Sequence, residues 1–206
     1  MPTVVTLSAA FGAGGPIVGH AVADELGVPF LDRAIPVAVA QKLAVSVDDV
    51  DAHDETADSR VGRILSALAT AGIGLGPAPQ PEVSAQAYRQ QTEEVMTTAA
   101  ATTGCVVLGR AGAIVLRDLP GALHVALTGS QARRIAQAQR LAPDEDPAQV
   151  RKLIEVADRN RSGYFRHFYN ADPNEITLYG LVIDATLVDL DTCASMIVTA
   201  ARAIRD

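Results

Sequence analysis

Gly12, Gly14 and Gly15 stand in the stretch FGAGGPIVG (residues 11–19), between a short apolar run and a helical pattern. Glycines at that spacing, with the small Ala13 between them, let main-chain amides converge on an anion. The helix that follows adds free N–H groups and the positive end of its dipole. The full phosphate-loop pattern, G-x-x-x-x-G-K-[ST], also brings a lysine for the terminal phosphates and a hydroxyl for Mg2+, and this stretch has neither. A phosphate held here is held by backbone. The same glycines fit a second reading, a tight strand-to-helix turn that binds nothing. A dinucleotide fingerprint fits less well, because Ile17 stands where its third glycine belongs, although Asp32 follows Gly12 by the 20 residues expected of a ribose-binding carboxylate.

Arginine supplies nearly all of the positive charge: of 17 basic residues only Lys42 and Lys152 are lysines. Guanidinium groups grip phosphate through two parallel hydrogen bonds, though a GC-rich genome produces the same bias. Arg133, Arg134 and Arg140 cluster in SQARRIAQAQRL, where a phosphate role, above all for Arg133 or Arg140, competes with a solvated helix face. Asp158 and Arg161, three apart in ADRNRSG, share a helical face and could equally form an ordinary surface ion pair. His20, His53, His124 and His167 lack metal-ligand spacing. The cluster Tyr164, Phe165, Phe168 and Tyr169 reads as packing on a long helix, with base stacking the lesser use.

These residues need elements to position them. TVVTLS (3–8) reads as a strand running into the glycine loop, and Ile17, Val18, Ala21, Val22 and Leu26 recur at helical spacing up to a stop at Gly27. VPFLD is a second short strand ending at Asp32, CVVLG a third, LHVALTG a fourth and YGLVIDAT a fifth. Helices are predicted over 35–43, after Ser46, over 59–71 and 84–103, in RAGAIVLRDL, in SQARRIAQAQRL, from Pro147 to about Phe168, and at the end of the chain. GIGLGPAPQPE (72–82), with three glycines and three prolines, breaks all periodicity and reads as a flexible loop. Strands alternating with helices, most strands continuously apolar, indicate an α/β fold of three layers around a parallel sheet. Such sheets bind ligands at the carboxyl ends of their strands, where Gly12, Asp32, Arg110, Thr128 and Asp184 all fall.

At 206 residues with 49% apolar composition, the chain is long enough for one well-buried core, and we expect a single domain over 1–206. The net charge of −7 argues against binding long nucleic acids, which takes a basic face. No apolar stretch approaches the ~20 residues needed to span a bilayer, and the N-terminus shows no leader pattern, so no membrane partner and a cytoplasmic location are expected. Cys105 and Cys193 lie in apolar segments and read as buried free thiols.

TLSAAFGAGGPIVGHAVADELGVPFLDRAI resembles the opening of the cytidylate kinase-like proteins, a branch of the P-loop nucleoside monophosphate kinases. VVLGRAGAIVL, LHVALTGSQARRIAQAQR, ADRNRSGYFRHFYN and YGLVIDATLV continue the resemblance in order, over nearly the whole chain. The resemblance implies a P-loop kinase-like fold with a helical lid near 133–165, and transfer of the ATP γ-phosphoryl group, with Mg2+, to CMP or a similar monophosphate. It also implies roles: Gly12, Ala13, Gly14 and Gly15 for donor phosphates, Asp32, Arg110, Asp158 and Arg161 for the acceptor, and Arg133 and Arg140 as catalytic lid arginines.

The chain departs from that family at its most charged places. Ala9, Ala10 and Pro16 stand where many relatives carry charged residues around the loop. Gly15, Ile17 and Leu108 stand where a cytidylate kinase has a lysine, a hydroxyl and an aspartate. Doubt falls on protein ligation of Mg2+, so a catalytically impaired nucleotide sensor or scaffold, with a homodimer as its candidate assembly, stands beside the kinase reading. A nicotinamide-dependent oxidoreductase is a third, disfavoured by the glycine spacing.

Overall fold

The computed structural model describes residues 2–32 and 85–204. The helices expected over 35–43, after Ser46 and over 59–71, and the loop at 72–82, lie outside the described residues. The chain divides into two compact units, Met1–Asp32 with Met96–Asp206, and Arg33–Val95. Of the second, the described part is the beginning of helix α2 (Ala85–Thr102), in which Arg89 pairs with Glu93 one turn on.

The first unit is built on five parallel strands in the order β2-β3-β1-β4-β5. They are β1 (Val4–Ala9), β2 (Phe30–Leu31), β3 (Cys105–Leu108), β4 (Ala122–Thr128) and β5 (Leu181–Asp184). Besides α2, the unit's helices are α1 (Gly15–Leu26), the one-turn α3 (Gly112–Val115), α4 (Gln131–Leu141), α5 (Pro147–Tyr169) and α6 (Leu190–Ala203). Gly27 closes α1 with φ near +67° and its amide turned back onto the last carbonyls, as its position in the sequence predicts.

Parallel strands need crossovers that cover both faces, and the side chains of the central strand show how each is filled. Val5 and Leu7 join Val106, Val125, Leu127 and Ile183 in a core with Val18 and Val22 of α1 and Cys193, Ile197 and Val198 of α6. Thr6 and Ser8 face the other way. Gly112 of α3 packs close to the Thr6 side chain, and Arg161 of α5 reaches Ser8. Thr6 is buried but not orphaned, because its hydroxyl lies 2.8 Å from Nδ1 of His124, its neighbour in the β1–β4 register. Burial lowers the pKa of His124 and favours the neutral ring. His124 thus serves the packing between β1 and β4.

Among the described residues two smaller apolar clusters fix the helices beyond the sheet. Ile135 of α4 packs on Val150 and Ile154 of α5, with Phe11 of the glycine loop and Ala138 against them. Tyr164 and Phe165 pack on Ala111, joined by Phe168 and Tyr169, so the aromatic cluster is packing, as expected. Cys105 and Cys193 are buried and free, and burial pushes the Cys105 thiol up to about 11. None of the described helices is long and apolar enough to cross a membrane.

Candidate functional site

β1 ends at Ala9, and the loop that follows is closed by a turn in which the Ala13 amide donates to the Ala10 carbonyl at 2.9 Å. Gly12 and Gly14 both sit at positive φ, +83° and +78°, a region that costs an L-residue with a side chain about 1–2 kcal/mol. Close approach adds to the demand: a Cβ on Gly12 would lie 2.8 Å from the Arg134 carbonyl oxygen, and one on Gly14 2.6 Å from the Leu190 side chain. At Gly12 both the backbone and the space demand glycine, and at Gly14 the backbone conformation does. Pro16 in the first turn of α1 sacrifices only an amide that no intrahelical carbonyl would accept.

No side chain caps α1, and its first turn holds no carboxylate. By contrast Ser130, Asp146 and Asp189 each accept an amide at the start of α4, α5 and α6. Among the described residues nothing accepts from the amides of Gly12, Gly14 or Gly15. The Gly14 carbonyl accepts from Val18, which directs the Gly15 amide of the same peptide plane outward from the helix end. A set of uncapped donors at the carboxyl edge of the central strand is what an anion-holding turn requires.

Arg110 follows β3 on a strained turn. Gly109, Arg110 and Ala111 take φ values of +74°, +57° and +50° in succession, and only the first is a glycine. Two non-glycine residues in the left-handed region persist only where the surroundings fix them. Ala111, 1% exposed, is clamped by the Tyr164 and Phe165 cluster. Arg110 is itself 6% exposed, with Nη2 3.5 Å from the carbonyl of Asp32 at the end of β2. The structure thus brings Arg110 and Asp32 to the same edge of the sheet.

The Asp158–Arg161 ion pair that their spacing allows is replaced by another. Asp158 takes both ends of the Arg134 guanidinium, Nη1 to Oδ1 at 3.1 Å and Nη2 to Oδ2 at 2.7 Å. Arg134 also donates to the carbonyls of Phe11 at 2.8 Å and Gly129 at 3.0 Å. Arg161 instead donates to Ser8 Oγ at 2.9 Å and to the Pro173 carbonyl at 3.1 Å, with its guanidinium 5.9 Å from the Phe165 ring centre. It therefore stands beneath the start of the glycine loop.

Of the two proposed lid arginines, Arg133 donates to Asp184 and Thr186 just past β5, while Arg140 is exposed at the last turn of α4. The Thr186 hydroxyl and amide and the Arg133 guanidinium hold the Asp184 carboxyl below its ordinary value. Sequence reasoning gave Arg134 no role of its own and missed Gln137, both 6% exposed. One signal was available: the two lie three apart beside the apolar Ile135 and Ala138, so two polar side chains share the inward side of α4.

The departures at Gly15 and Leu108 meet in space. A Cβ on Gly15 would lie 2.6 Å from the Cβ of Ala9 and 3.1 Å from Cδ1 of Leu108. Three small or apolar residues thus close the floor of the loop where charged groups were expected. Ile17 is 45% exposed and offers no oxygen. Among the described residues no group of three or more His, Cys, Asp or Glu side chains is placed to hold a metal ion, and Asp158 and Asp184 are committed to arginines. Among the described residues no such cluster offers Mg2+ a ligand set made by the protein alone.

An uncapped glycine turn between the central strand of a parallel five-stranded sheet and its first helix defines a P-loop kinase fold. The model of the cytidylate kinase-like family matches residues 4–187, and the chain belongs to that family. Solved structures with the same fold include an uncharacterized protein from Eubacterium ventriosum ATCC 27560 (TM-score 0.67, 15% identity, covering 97% of this chain and 98% of that one). Shikimate kinase from Bacteroides thetaiotaomicron also shares it (TM-score 0.52, 13% identity, 97% and 98% covered). So does shikimate kinase from Acinetobacter baumannii, solved with shikimate (TM-score 0.50, 14% identity, 100% and 97% covered). No protein of curated function matches the chain.

Proposed function

We propose that the protein is a nucleotide phosphotransferase that takes ATP as donor and CMP or a similar nucleoside monophosphate as acceptor. The observation that carries this reading is the uncapped set of amides at Gly12, Gly14 and Gly15, supported by membership of the family. Donor phosphates lie on that turn. Arg110 and Arg161, with Asp32 and Asp158, serve the acceptor, and Asp158 also balances the charge of Arg134. Phosphoryl transfer asks the protein mainly to position reactants and neutralise charge, and arginines can do both. Arg133 and Arg140 are the candidates to neutralise charge from the lid side. P-loop kinases as a class use Mg2+ with ATP, but this chain's own groups supply no ligand set for it among the described residues.

A second reading, nucleotide binding without transfer, is favoured by the apolar floor formed by Ala9, Gly15 and Leu108. Losing charged groups that act mainly in the transition state costs on the order of 10²–10⁵ in rate and leaves binding measurable. Purified protein incubated with ATP, Mg2+ and a panel of nucleoside monophosphates, with diphosphate formation and calorimetric binding followed together, separates the two. Turnover supports the phosphotransferase. ATP binding without turnover supports the silent binder, and binding of NAD alone overturns both.

Arg110→Ala is expected to weaken CMP binding by about 1.5–3 kcal/mol, the range for hydrogen bonds to a charged group. Titration calorimetry on the folded variant checks it. An unchanged affinity would place the acceptor elsewhere.

A further inference from the structure

Arg134 and Gln137 do something to the loop that neither its glycines nor its helix can do alone. The peptide between Phe11 and Gly12 is trans and planar, so its N–H points opposite to its C=O. Arg134 Nη1 takes that carbonyl at 2.8 Å, which turns the Gly12 amide away from α4. The next peptide is held the same way: Gln137 Nε2 donates to the Gly12 carbonyl at 3.2 Å, while the Ala13 amide on its other side donates to Ala10. Two consecutive peptide planes of the turn are therefore oriented by side chains from one helix.

We propose that Arg134 and Gln137 are positioning residues: Arg134 aims the Gly12 amide at the donor phosphates, and Gln137 locks the neighbouring peptide plane, whose own amide is held by Ala10, so that the Gly12 amide keeps its direction. The proposal rests on the phosphate-binding reading of that loop. A glycine turn is otherwise free to rotate its peptide planes, because glycine populates both signs of φ with similar ease. Where a loop lysine would have drawn the phosphates in by charge, this loop has only dipoles, and a dipole contributes only when it points the right way. Arg134 reaches the loop with its own charge balanced by Asp158, so it acts on the phosphates through the peptide planes and without touching them. The same guanidinium holds the Gly129 carbonyl, which ties the glycine loop to the turn after β4.

The test uses the full chain and three probes: ATP, inorganic tripolyphosphate and CMP, each titrated by calorimetry. Gln137→Leu removes one peptide-orienting hydrogen bond at nearly constant volume, and Arg134→Lys keeps the charge but loses the fork that spans two carbonyls and a carboxylate. Gln137→Leu is expected to weaken ATP and tripolyphosphate alike by roughly fivefold, the equivalent of one hydrogen bond, and to leave CMP unchanged. Arg134→Lys is expected to weaken both polyphosphates further. Should Arg134→Lys fail to fold, Gln137→Leu decides alone. Equal losses for all three probes indicate a merely structural role and overturn the proposal, as do unchanged polyphosphate affinities in a folded Gln137→Leu. If the unsubstituted protein binds neither polyphosphate, the phosphate-loop reading itself falls and takes this proposal with it.

Discussion

Gly12→Ala is expected to cost about 3 kcal/mol of stability and at least roughly tenfold in ATP affinity. Two effects add at this position. An alanine at φ +83° pays about 1–2 kcal/mol for the left-handed backbone, and its Cβ would press to 2.8 Å on a main-chain oxygen of α4 that no rotamer change can move aside. Overpacking of that kind adds about 1–3 kcal/mol. Relief comes only by lifting the loop off α4, which also frees the peptide planes that Arg134 and Gln137 hold. Gly27→Ala isolates the backbone term, because Gly27 has φ +67° but no atom within 4 Å of the place a Cβ would occupy. It should cost about 1 kcal/mol and leave ATP binding as it was. Denaturant unfolding of both variants, followed by ATP titration, gives the comparison. Equal stability losses would mean that the contact with α4 is not a constraint on the loop.

Much of the fold was legible because its signals are local and repeat. The five strands were each marked by a short β-branched or apolar run, and Gly27 and Pro147 announced helix ends through chemistry that acts within one turn. The loop was legible for the same reason, since Gly12 and Gly14 declare positive φ at their own positions. Arg110 could be placed at a strand end. Its strained turn could not be foreseen, because that strain is held by Tyr164 and Phe165, some fifty residues away in the chain.

What the sequence concealed was choice of partner. Asp158 has Arg161 three residues away, and Arg134 has Arg133 beside it, so helical spacing offered the wrong pairing and no means of distinguishing two adjacent arginines. The structure sorts them by the face of α4 each occupies. Arg134 turns inward to the loop and Asp158, whereas Arg133 turns to the end of β5. Similarly, the replacements at Ala9, Gly15 and Leu108 look like three separate losses along the chain but form one contact. An apolar residue at each suits the others, and a lysine restored at Gly15 alone would meet the Ala9 Cβ.

Asp158→Ala carries the second large effect, about 3 kcal/mol, and it separates two roles for this carboxylate. The Arg134 side chain is 8% exposed, so removing Asp158 leaves a guanidinium charge with little access to water. Stripping one partner from a buried pair costs about 3–5 kcal/mol, and the 36% exposure of Asp158 puts this pair at the low end. Had Asp158 served only to contact an acceptor sugar or phosphate, its loss would lower CMP affinity and leave the unfolding midpoint in place. A double-mutant cycle with Arg134→Met makes the distinction quantitative. The double variant removes the stranded charge along with its partner, so it should be less destabilised than the sum of the single variants by about 1–3 kcal/mol. Strict additivity, or an Asp158→Ala loss below about 0.5 kcal/mol, would show that Arg134 is neutralised without Asp158 and that the carboxylate belongs to the acceptor alone.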